Sequence, residues 1–98
     1  MSVYWRMVER GRMLYISGAA DSSRRVLERI DHLMADAGIG KQNLLTAQVT
    51  LSHIGLLDEH KSAWNDWVDP HNPPLRACKT APLERPDALV QILVTAAK

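Results

Sequence analysis

The spacing of apolar residues changes along this chain from a period of about 3.6 to a period of about 2, and that change restricts its fold class more than any other feature. The first pattern supplies one stripe of an amphipathic helix: Val26, Leu27, Ile30, Leu33, Met34 and Ala37. Asp21, Ser22 or Ser23 is suited to cap the start of this helix. Gly38 stands where a left-handed residue usually follows a helix. We therefore predict a helix between these two signals.

The second pattern alternates and predicts a β-strand. One side of this segment carries Leu45, Ala47, Val49 and Leu51, and the other side carries Thr46, Gln48, Thr50 and Ser52. The polar side contains no charged residue, whereas a fully solvated strand face usually carries Lys or Glu. We therefore expect this uncharged face to be covered, and another subunit is the simplest cover.

The remaining segments complete a predicted β-β-α-β-α-β-β order. Residues 3–9 and 12–18 resemble a hairpin with a glycine in its turn. A second helix is predicted within residues 56–68, with Asp58 as its N-cap and with Trp64, Trp67 and Val68 on its buried side. The sequence "DPHNPP" then requires a loop, and two strands flank "PLERPD".

This order predicts a single α+β domain over residues 1–98, with a mixed sheet and both helices on one face. In the last strand the residues from Val90 to Ala96 are mostly apolar on both faces, as in a strand that is covered on both sides. Gln91 and Leu93 would join the uncharged face of the preceding strand. Since nothing else in the chain is left to cover that face, self-association is expected.

Composition and charge exclude several function classes. The net charge of +1 argues against a nucleic-acid-binding protein, which usually presents a clustered basic surface. A single cysteine fits a reducing compartment. No secretory signal is recognisable at the N-terminus, and no run of about 18 apolar residues predicts a membrane span. The expected location is the cytoplasm. The histidines have no metal-ligand spacing, so no metal site is predicted: His32, His53, His60 and His71.

The stretch "NPPLRACKTAP" contains the best candidates for chemistry. Arg76 and Cys78 are two residues apart on a predicted strand and therefore share a face. The planar guanidinium of Arg76 is suited to bind a carboxylate through two parallel hydrogen bonds. The alternative is an ordinary surface arginine. Cys78 is either an activated thiol or, as is more common, a small residue that packs.

These residues lie within a longer pattern that resembles a known family. "PPLRACKTAPLERPDALVQILVTAA" is similar to the C-terminal signature of the Rid (YjgF-type) family, approximately P-x-R-x-C/T-x-x-x-x-L-x-x-P-x-x-x-V-E-I-x-x-x-A. "RMLYISGAA", "VLERIDHLMADAGIGKQNLLTAQVTL" and "HKSAWNDWVDPHNPP" resemble earlier segments of the family in the same order. The resemblance implies a chorismate mutase-like fold of the bacillus type, assembled as a homotrimer with a central barrel and three clefts between subunits.

The resemblance also implies an activity and a set of site residues. Many members hydrolyse 2-imino and 2-enamino acids to 2-oxo acids and ammonia without a cofactor. By position, Arg76 matches the arginine that binds the substrate carboxylate, and Cys78 matches a position that lines the pocket mainly with its backbone. Ser17 and Gly18 match a Ser-Gly pair in the pocket wall, and Tyr4 matches a tyrosine of the first strand.

The chain departs from the family pattern at its catalytic position. Gln91 occupies the position of a glutamate, and an amide orients water but does not transfer protons. In addition, Lys61 replaces a usual asparagine, and the loop after Ala20 is shorter than in the family. Two hypotheses remain: a Rid-type imine hydrolase that uses Arg76 and a water near Gln91, or a trimer that binds a small carboxylate metabolite with little or no turnover. The net charge disfavours the ribonuclease activity of the family's older label.

Overall fold

Five strands and two helices form the chain in the computed structural model, which describes residues 3–98. In chain order they are β1 (Tyr4–Arg10), β2 (Met13–Ala20), α1 (Ser23–Asp36), β3 (Leu44–Leu51), α2 (Leu57–Trp67), β4 (Leu75–Thr80) and β5 (Val90–Ala97). Short 3₁₀ turns at Lys41–Asn43 and Ile54–Leu56 precede β3 and α2. The predicted β-β-α-β-α-β-β order is therefore confirmed.

The strands form one mixed sheet in the order β1-β2-β5-β3-β4. Strands β1, β2, β5 and β3 pair antiparallel, and β4 pairs with β3 in parallel. The parallel pair follows from the connection through α2, because a strand that returns by way of a helix enters the sheet in the same direction. Both helices pack on one face of the sheet, as predicted, and β4 lies at one edge.

Local sequence explains most helix ends. The Ser22 side chain accepts a hydrogen bond from the Arg25 backbone N–H at the start of α1. Gly38 has a φ of +77° just after that helix, as the left-handed position requires. The prediction of Asp58 as an N-cap was wrong. Helix α2 continues from a 3₁₀ turn and begins at Leu57, so Asp58 lies in its first turn, where its charge favours the helix dipole.

The core lies between the helices and the sheet face that they cover. Fully buried side chains from β2, α1, β3 and β5 fill it: Leu14, Ile16, Val26, Ile30, Leu51, Val90, Ile92 and Val94. Trp64 and Trp67 of α2 are also buried, with exposed fractions of 6% and 9%. The predicted inward face of the last strand and the predicted buried stripe of α1 are both confirmed.

The start of β3 departs from the predicted alternation. Leu44 is 5% exposed and Leu45 is 47% exposed, although Leu45 was expected on the buried face. The pairing with β5 shifts between Leu44 and Thr46. Such a β-bulge places one extra residue in a strand and reverses which residues face the core on one side of it. From Ala47 onward the predicted faces are confirmed.

The sheet face opposite the helices has no cover within the described chain, and we call it the open face. Its three central strands contribute nine side chains with no charge among them: Tyr15, Ser17, Ala19, Thr46, Gln48, Thr50, Gln91, Leu93 and Thr95. Tyr15 is 42% exposed and Leu93 is 37% exposed. The sequence predicted this uncharged face. The second face of β5, which was expected to be covered, is open within a single chain.

Neither helix of the described residues is long and apolar enough to cross a membrane.

Candidate functional site

A row of five residues crosses the open face perpendicular to the strands. Tyr4 pairs with Ala19, Ala19 pairs with Gln91, Gln91 pairs with Thr50, and Thr50 pairs with Lys79. Paired residues on adjacent strands point to the same face. Gln91 therefore lies at the centre of the sheet, with an aromatic hydroxyl at one end of its row and an ammonium group at the other.

A cavity of about 340 Å³ lies above this row. Its floor includes Ala19, Thr50, Lys79 and Gln91, and its wall is the connection between β4 and β5 over residues 81–88. A second hollow of about 290 Å³ adjoins it and shares Thr50, Lys79 and Gln91. The Gln91 amide is thus in contact with both spaces, and each is large enough to hold a small metabolite.

The β4–β5 connection is fastened to the row through Tyr4. The Tyr4 hydroxyl donates a hydrogen bond of 2.9 Å to the Asp87 carboxylate. The Arg85 guanidinium lies 3.7 Å from the centre of the Tyr4 ring, a cation–π contact. Tyr4 thereby holds the wall of the cavity in place, and Ser17 lies on the same face one strand away.

Gly18 faces the helices instead of the cavity. A Cβ atom at this position would lie 3.1 Å from Cγ1 of Val26 and 3.6 Å from the Tyr4 carbonyl oxygen. The absence of a side chain therefore permits close packing of α1 against β2. Only the backbone of Gly18 is left to contribute to a pocket wall.

Arg76 and Cys78 also lie on the helix side of the sheet. They pair with Ala47 and Val49, whose side chains are buried beneath the helices, whereas Gln91 pairs with Thr50 on the open face. The structure thus directs the side chains of Tyr4, Ser17 and Gln91 to one face and those of Arg76 and Cys78 to the other, although Cys78 also lines the second hollow together with Gln91. As part of the edge strand β4, both residues remain exposed, and Cys78 is a free thiol.

Two side chains of α2 hold the Arg76 guanidinium. Nη1 of Arg76 lies 3.3 Å from Nε2 of His60, and the guanidinium carbon lies 5.3 Å from the centre of the Trp64 ring. His60 is fully buried. Both contacts are with neutral groups when the imidazole is unprotonated, so neither neutralises the charge of the arginine.

His60 also connects the two helices. Its Nδ1 lies 2.9 Å from the Ser23 hydroxyl, and the Ser23 backbone N–H donates a 2.9 Å hydrogen bond to Oε1 of Glu59. Burial lowers the pKa of His60 below its ordinary value, and the charge of Arg76 lowers it further, against an opposing effect of Glu59. The neutral imidazole is therefore favoured in the folded chain.

Acid is expected to destabilise the fold through His60. Because its pKa is below 6.5 in the folded state, the unfolded chain binds more protons below that pH. The free energy of unfolding should therefore fall as the pH drops below about 6.5, by at most ~1.4 kcal/mol per pH unit. Urea denaturation over this range should show a shallower pH dependence for His60→Gln than for the wild type.

Parallel pH profiles for the two proteins would contradict this expectation. Asp69 does not interfere, because hydrogen bonds from the backbone N–H of His71 and the side chain of Asn72 lower its pKa below 3.8.

Sequence reasoning missed His60 and Lys79. His60 precedes Trp64 and Trp67 by one and two helical turns, so the stripe of α2 already indicated that it is buried. Lys79 precedes the loop wall and alternates with Cys78, which indicated that it faces the side of the sheet opposite Arg76. Within residues 3–98, no group of three or more His, Cys, Asp or Glu side chains is arranged to hold a metal ion.

The fold and the site define an α+β protein of the chorismate mutase-like type, with the exposed Arg76 and the central Gln91 as its candidate functional groups. The family described as Endoribonuclease L-PSP matches residues 1–98. The chain belongs to this family, in which the YjgF/Rid proteins are grouped, and the resemblance of the sequence is confirmed.

Individual relatives agree with this assignment. A RutC family protein from Haemophilus influenzae is 38% identical over 78 residues, which are 80% of this chain and 67% of the relative. The 3-aminoacrylate deaminase RutC from Acinetobacter baylyi is 31% identical over 93 residues, with 86% of this chain and 66% of the relative covered. The chain thus spans about two-thirds of the length of each. A solved YjgF-family protein from Neisseria meningitidis has a TM-score of 0.86 at 28% identity. The alignment covers 100% of this chain and 96% of the Neisseria chain.

Proposed function

We propose that this chain is a Rid-type hydrolase that converts small 2-imino and 2-enamino acids to 2-oxo acids and ammonia. The family assignment supports a deaminase at the level of reaction class, and one relative is named for the deamination of 3-aminoacrylate, a small carboxylate that carries an enamine. What these reactions share is a small carboxylate that carries an imine, or its enamine form, on a nearby carbon.

The observation that carries the proposal is the uncompensated charge of Arg76. An Asp or Glu partner would neutralise that charge and occupy the donors that a substrate carboxylate needs. Within the described residues, the contacts of Arg76 are instead the His60 imidazole and the Trp64 indole. Its guanidinium keeps a full positive charge at an exposed sheet edge, where a substrate carboxylate is a suitable partner.

A site that uses both Arg76 and Gln91 requires more than one copy of the chain. Arg76 lies on the helix side of the sheet and Gln91 on the open face, so one chain does not direct both side chains at the same small molecule. The three central strands of the open face carry no charge and have no cover within the described residues, and β4 is an edge strand. We therefore propose a homotrimer in which Arg76 and Cys78 of one copy approach Tyr4, Ser17, Gly18 and Gln91 of another across a cleft.

The proposed reaction follows from the properties of these groups. Arg76 binds the substrate carboxylate and thereby orients the adjacent imine carbon. The Gln91 amide accepts and donates hydrogen bonds, and so holds a water molecule against that carbon. Addition of the water to the C=N bond, with one of its protons passing to the nitrogen, forms a carbinolamine. The amino group then takes a proton from solvent and leaves as ammonia, while the hydroxyl group returns its proton to solvent and becomes the carbonyl group of the 2-oxo acid. Since Gln91 transfers no proton, positioning supplies the rate enhancement.

The presence of Gln91 favours a second candidate function. An amide at this position does not transfer protons, so the catalytic carboxyl group that the family resemblance implies is missing from the centre of the open face, although Lys79 and Glu84 line the same cavity. A trimer with the same cleft would then bind a small carboxylate metabolite through Arg76 and release it unchanged. Both functions require Arg76, and they differ in turnover.

A trapping assay separates the two functions. An amino-acid oxidase generates 2-iminopropanoate from alanine, and semicarbazide traps it as a semicarbazone. If the chain is a hydrolase, the wild type suppresses semicarbazone formation and Arg76→Ala loses that effect by roughly 10- to 100-fold, because each hydrogen bond to a charged group contributes ~1.5–3 kcal/mol.

Arg29→Ala is the matched control. Arg29 also lies against a tryptophan, with its guanidinium carbon 5.7 Å from the Trp5 ring, but it belongs to α1 and not to the proposed cleft. Activity equal to wild type is expected for this variant. If the wild type does not suppress the semicarbazone but binds pyruvate in an Arg76-dependent way, the binder is supported. Failure of both effects would overturn the assignment of the site to Arg76.

A further inference from the structure

We propose that His60 is the positioning residue for Arg76, and that it holds the guanidinium ready for a carboxylate only while its imidazole is neutral. This inference rests on the proposed carboxylate-binding role of Arg76. It adds a residue outside the cleft that determines the affinity and the pH range of binding.

The hydrogen-bond pattern determines which tautomer His60 adopts. The guanidinium of Arg76 has only donors, so Nε2 of His60, 3.3 Å from Nη1, must accept with its lone pair. The proton of the neutral ring is then on Nδ1, which donates to the Ser23 hydroxyl at 2.9 Å. A protonated ring would place hydrogen atoms on both nitrogens and would leave no acceptor for Arg76.

Two contacts then restrict the Arg76 side chain but leave some of its N–H donors available for a ligand. His60 holds Nη1, and the Trp64 ring lies against the guanidinium. The Nε and Nη2 donors of Arg76 have no hydrogen-bond partner within the described residues. These two parallel N–H groups form the edge that binds a carboxylate in a bidentate manner. Ordering the side chain before the ligand arrives reduces the entropy lost on binding.

The charged groups around His60 set the direction of the pH effect. Arg76 approaches from β4, and Glu59 precedes His60 on α2. Ser23 faces the ring from the start of α1, and its backbone N–H binds the Glu59 carboxylate. The nearby Arg24 is directed to Ser62 and Asp66 instead. Protonation would create a second cation 3.3 Å from Nη1 inside a fully buried site, so Arg76 would be displaced.

The test measures binding of pyruvate, the product of 2-iminopropanoate hydrolysis, by isothermal titration calorimetry. The carboxylate of pyruvate stays ionised from about pH 8 to about pH 5.5, so a change in affinity reports on the protein. In the wild type the Kd should rise by at least about threefold between about pH 8 and the pH at which the ¹⁵N NMR spectrum shows that the His60 ring is protonated. His60→Leu should raise the Kd about three- to tenfold at the upper pH and remove the pH dependence.

His60→Gln is the conservative variant. Its amide oxygen offers an acceptor to Arg76 but does not titrate, so we expect a Kd between those of the wild type and His60→Leu, with no dependence on pH. Circular dichroism at each pH verifies that the variants are folded. The inference would be overturned by a wild-type Kd that does not change although the ¹⁵N NMR spectrum shows His60 protonated, or by a His60→Leu Kd equal to that of the wild type at the upper pH.

A measurement without any ligand tests the same point. In the ¹⁵N NMR spectrum of the imidazole, Nδ1 of His60 should carry the proton and Nε2 should be unprotonated at about pH 8. The reverse pattern would overturn the inference. Binding of pyruvate by Arg76→Ala distinguishes a failure of the His60 inference from a failure of the proposed function. If Arg76→Ala binds pyruvate as the wild type does, the proposed site itself is wrong. If only the His60 variants behave as the wild type, the positioning role alone is lost.

Discussion

Replacement of Gln91 by glutamate is expected to raise the rate of imine hydrolysis by roughly 10²-fold, and by as much as roughly 10⁴-fold, the range typical of general acid–base catalysis. The side chain lies at the centre of the open face, in contact with two cavities and next to Thr50. A carboxylate there accepts the proton of the attacking water, which an amide does not. The rate constant kcat for 2-iminopropanoate, measured in the trapping assay, checks this prediction.

Gln42→Glu is the matched control for this gain. Gln42 is also an exposed glutamine, but it lies in the 3₁₀ turn Lys41–Asn43 that precedes β3 and lines neither cavity. The same chemical change at this position should leave kcat within about twofold of the wild type, because the new carboxylate lies outside the proposed cleft. The ratio of the Gln91→Glu rate to the wild-type rate should also fall at low pH, as the introduced carboxyl group becomes protonated. An equal gain from both variants, or no gain from Gln91→Glu in a folded trimer, would contradict the proposed position of the reacting water.

Replacement of Leu93 by aspartate is expected to convert the proposed trimer into monomers and thereby to abolish the proposed activity. Leu93 lies between Ser17 and Gln48 at the middle of the open face, where it is 37% exposed in the single chain. In the proposed trimer this position is buried, and an unpaired charge in a protein–protein interface costs several kcal/mol. Sedimentation velocity at micromolar concentration measures the change in mass.

The control places the same charge on the other side of the molecule. Asn65→Asp lies on the exposed side of α2 and should remain a trimer with wild-type activity. Leu93→Asp should keep the circular dichroism spectrum of the wild type, because its side chain is already partly exposed before assembly. A Leu93→Asp protein that still sediments as a trimer would show that another surface forms the interface. The proposed cleft between Arg76 of one copy and Gln91 of another would then be wrong.

The predictable part of the fold depended on patterns that repeat over many residues. The stripe from Val26 to Met34 and the alternation from Val90 to Ala96 each place several side chains on one face, so local irregularities average out. Errors occurred where one residue decided the outcome. Leu45 changed faces because of a single bulge, and Asp58 lost its predicted capping role because a 3₁₀ turn started the helix one residue before it.

The candidate site was partly predictable for a similar reason. The motif around Arg76 and the strand position of Gln91 are short-range features, and alternation within a strand already placed Arg76 and Cys78 on a common face. Strand alternation did not show which of the two sets of side chains in each strand faces the helices. That relation depends on how β4 and β5 are both registered against β3, which is a long-range property.

For this protein, then, the amino-acid sequence alone determined the order of the elements and the buried stripe of each helix. It also determined the uncharged second face of the sheet and the family to which the chain belongs. All of these follow from local periodicity and motif spacing. Tertiary structure alone decided that Arg76 and Gln91 lie on opposite faces of one sheet and that a buried histidine, not a carboxylate, meets the Arg76 guanidinium. The physical reason is that strand register and helix packing bring together residues far apart in the chain, such as Ser23, His60 and Arg76, whose mutual distances no local pattern records.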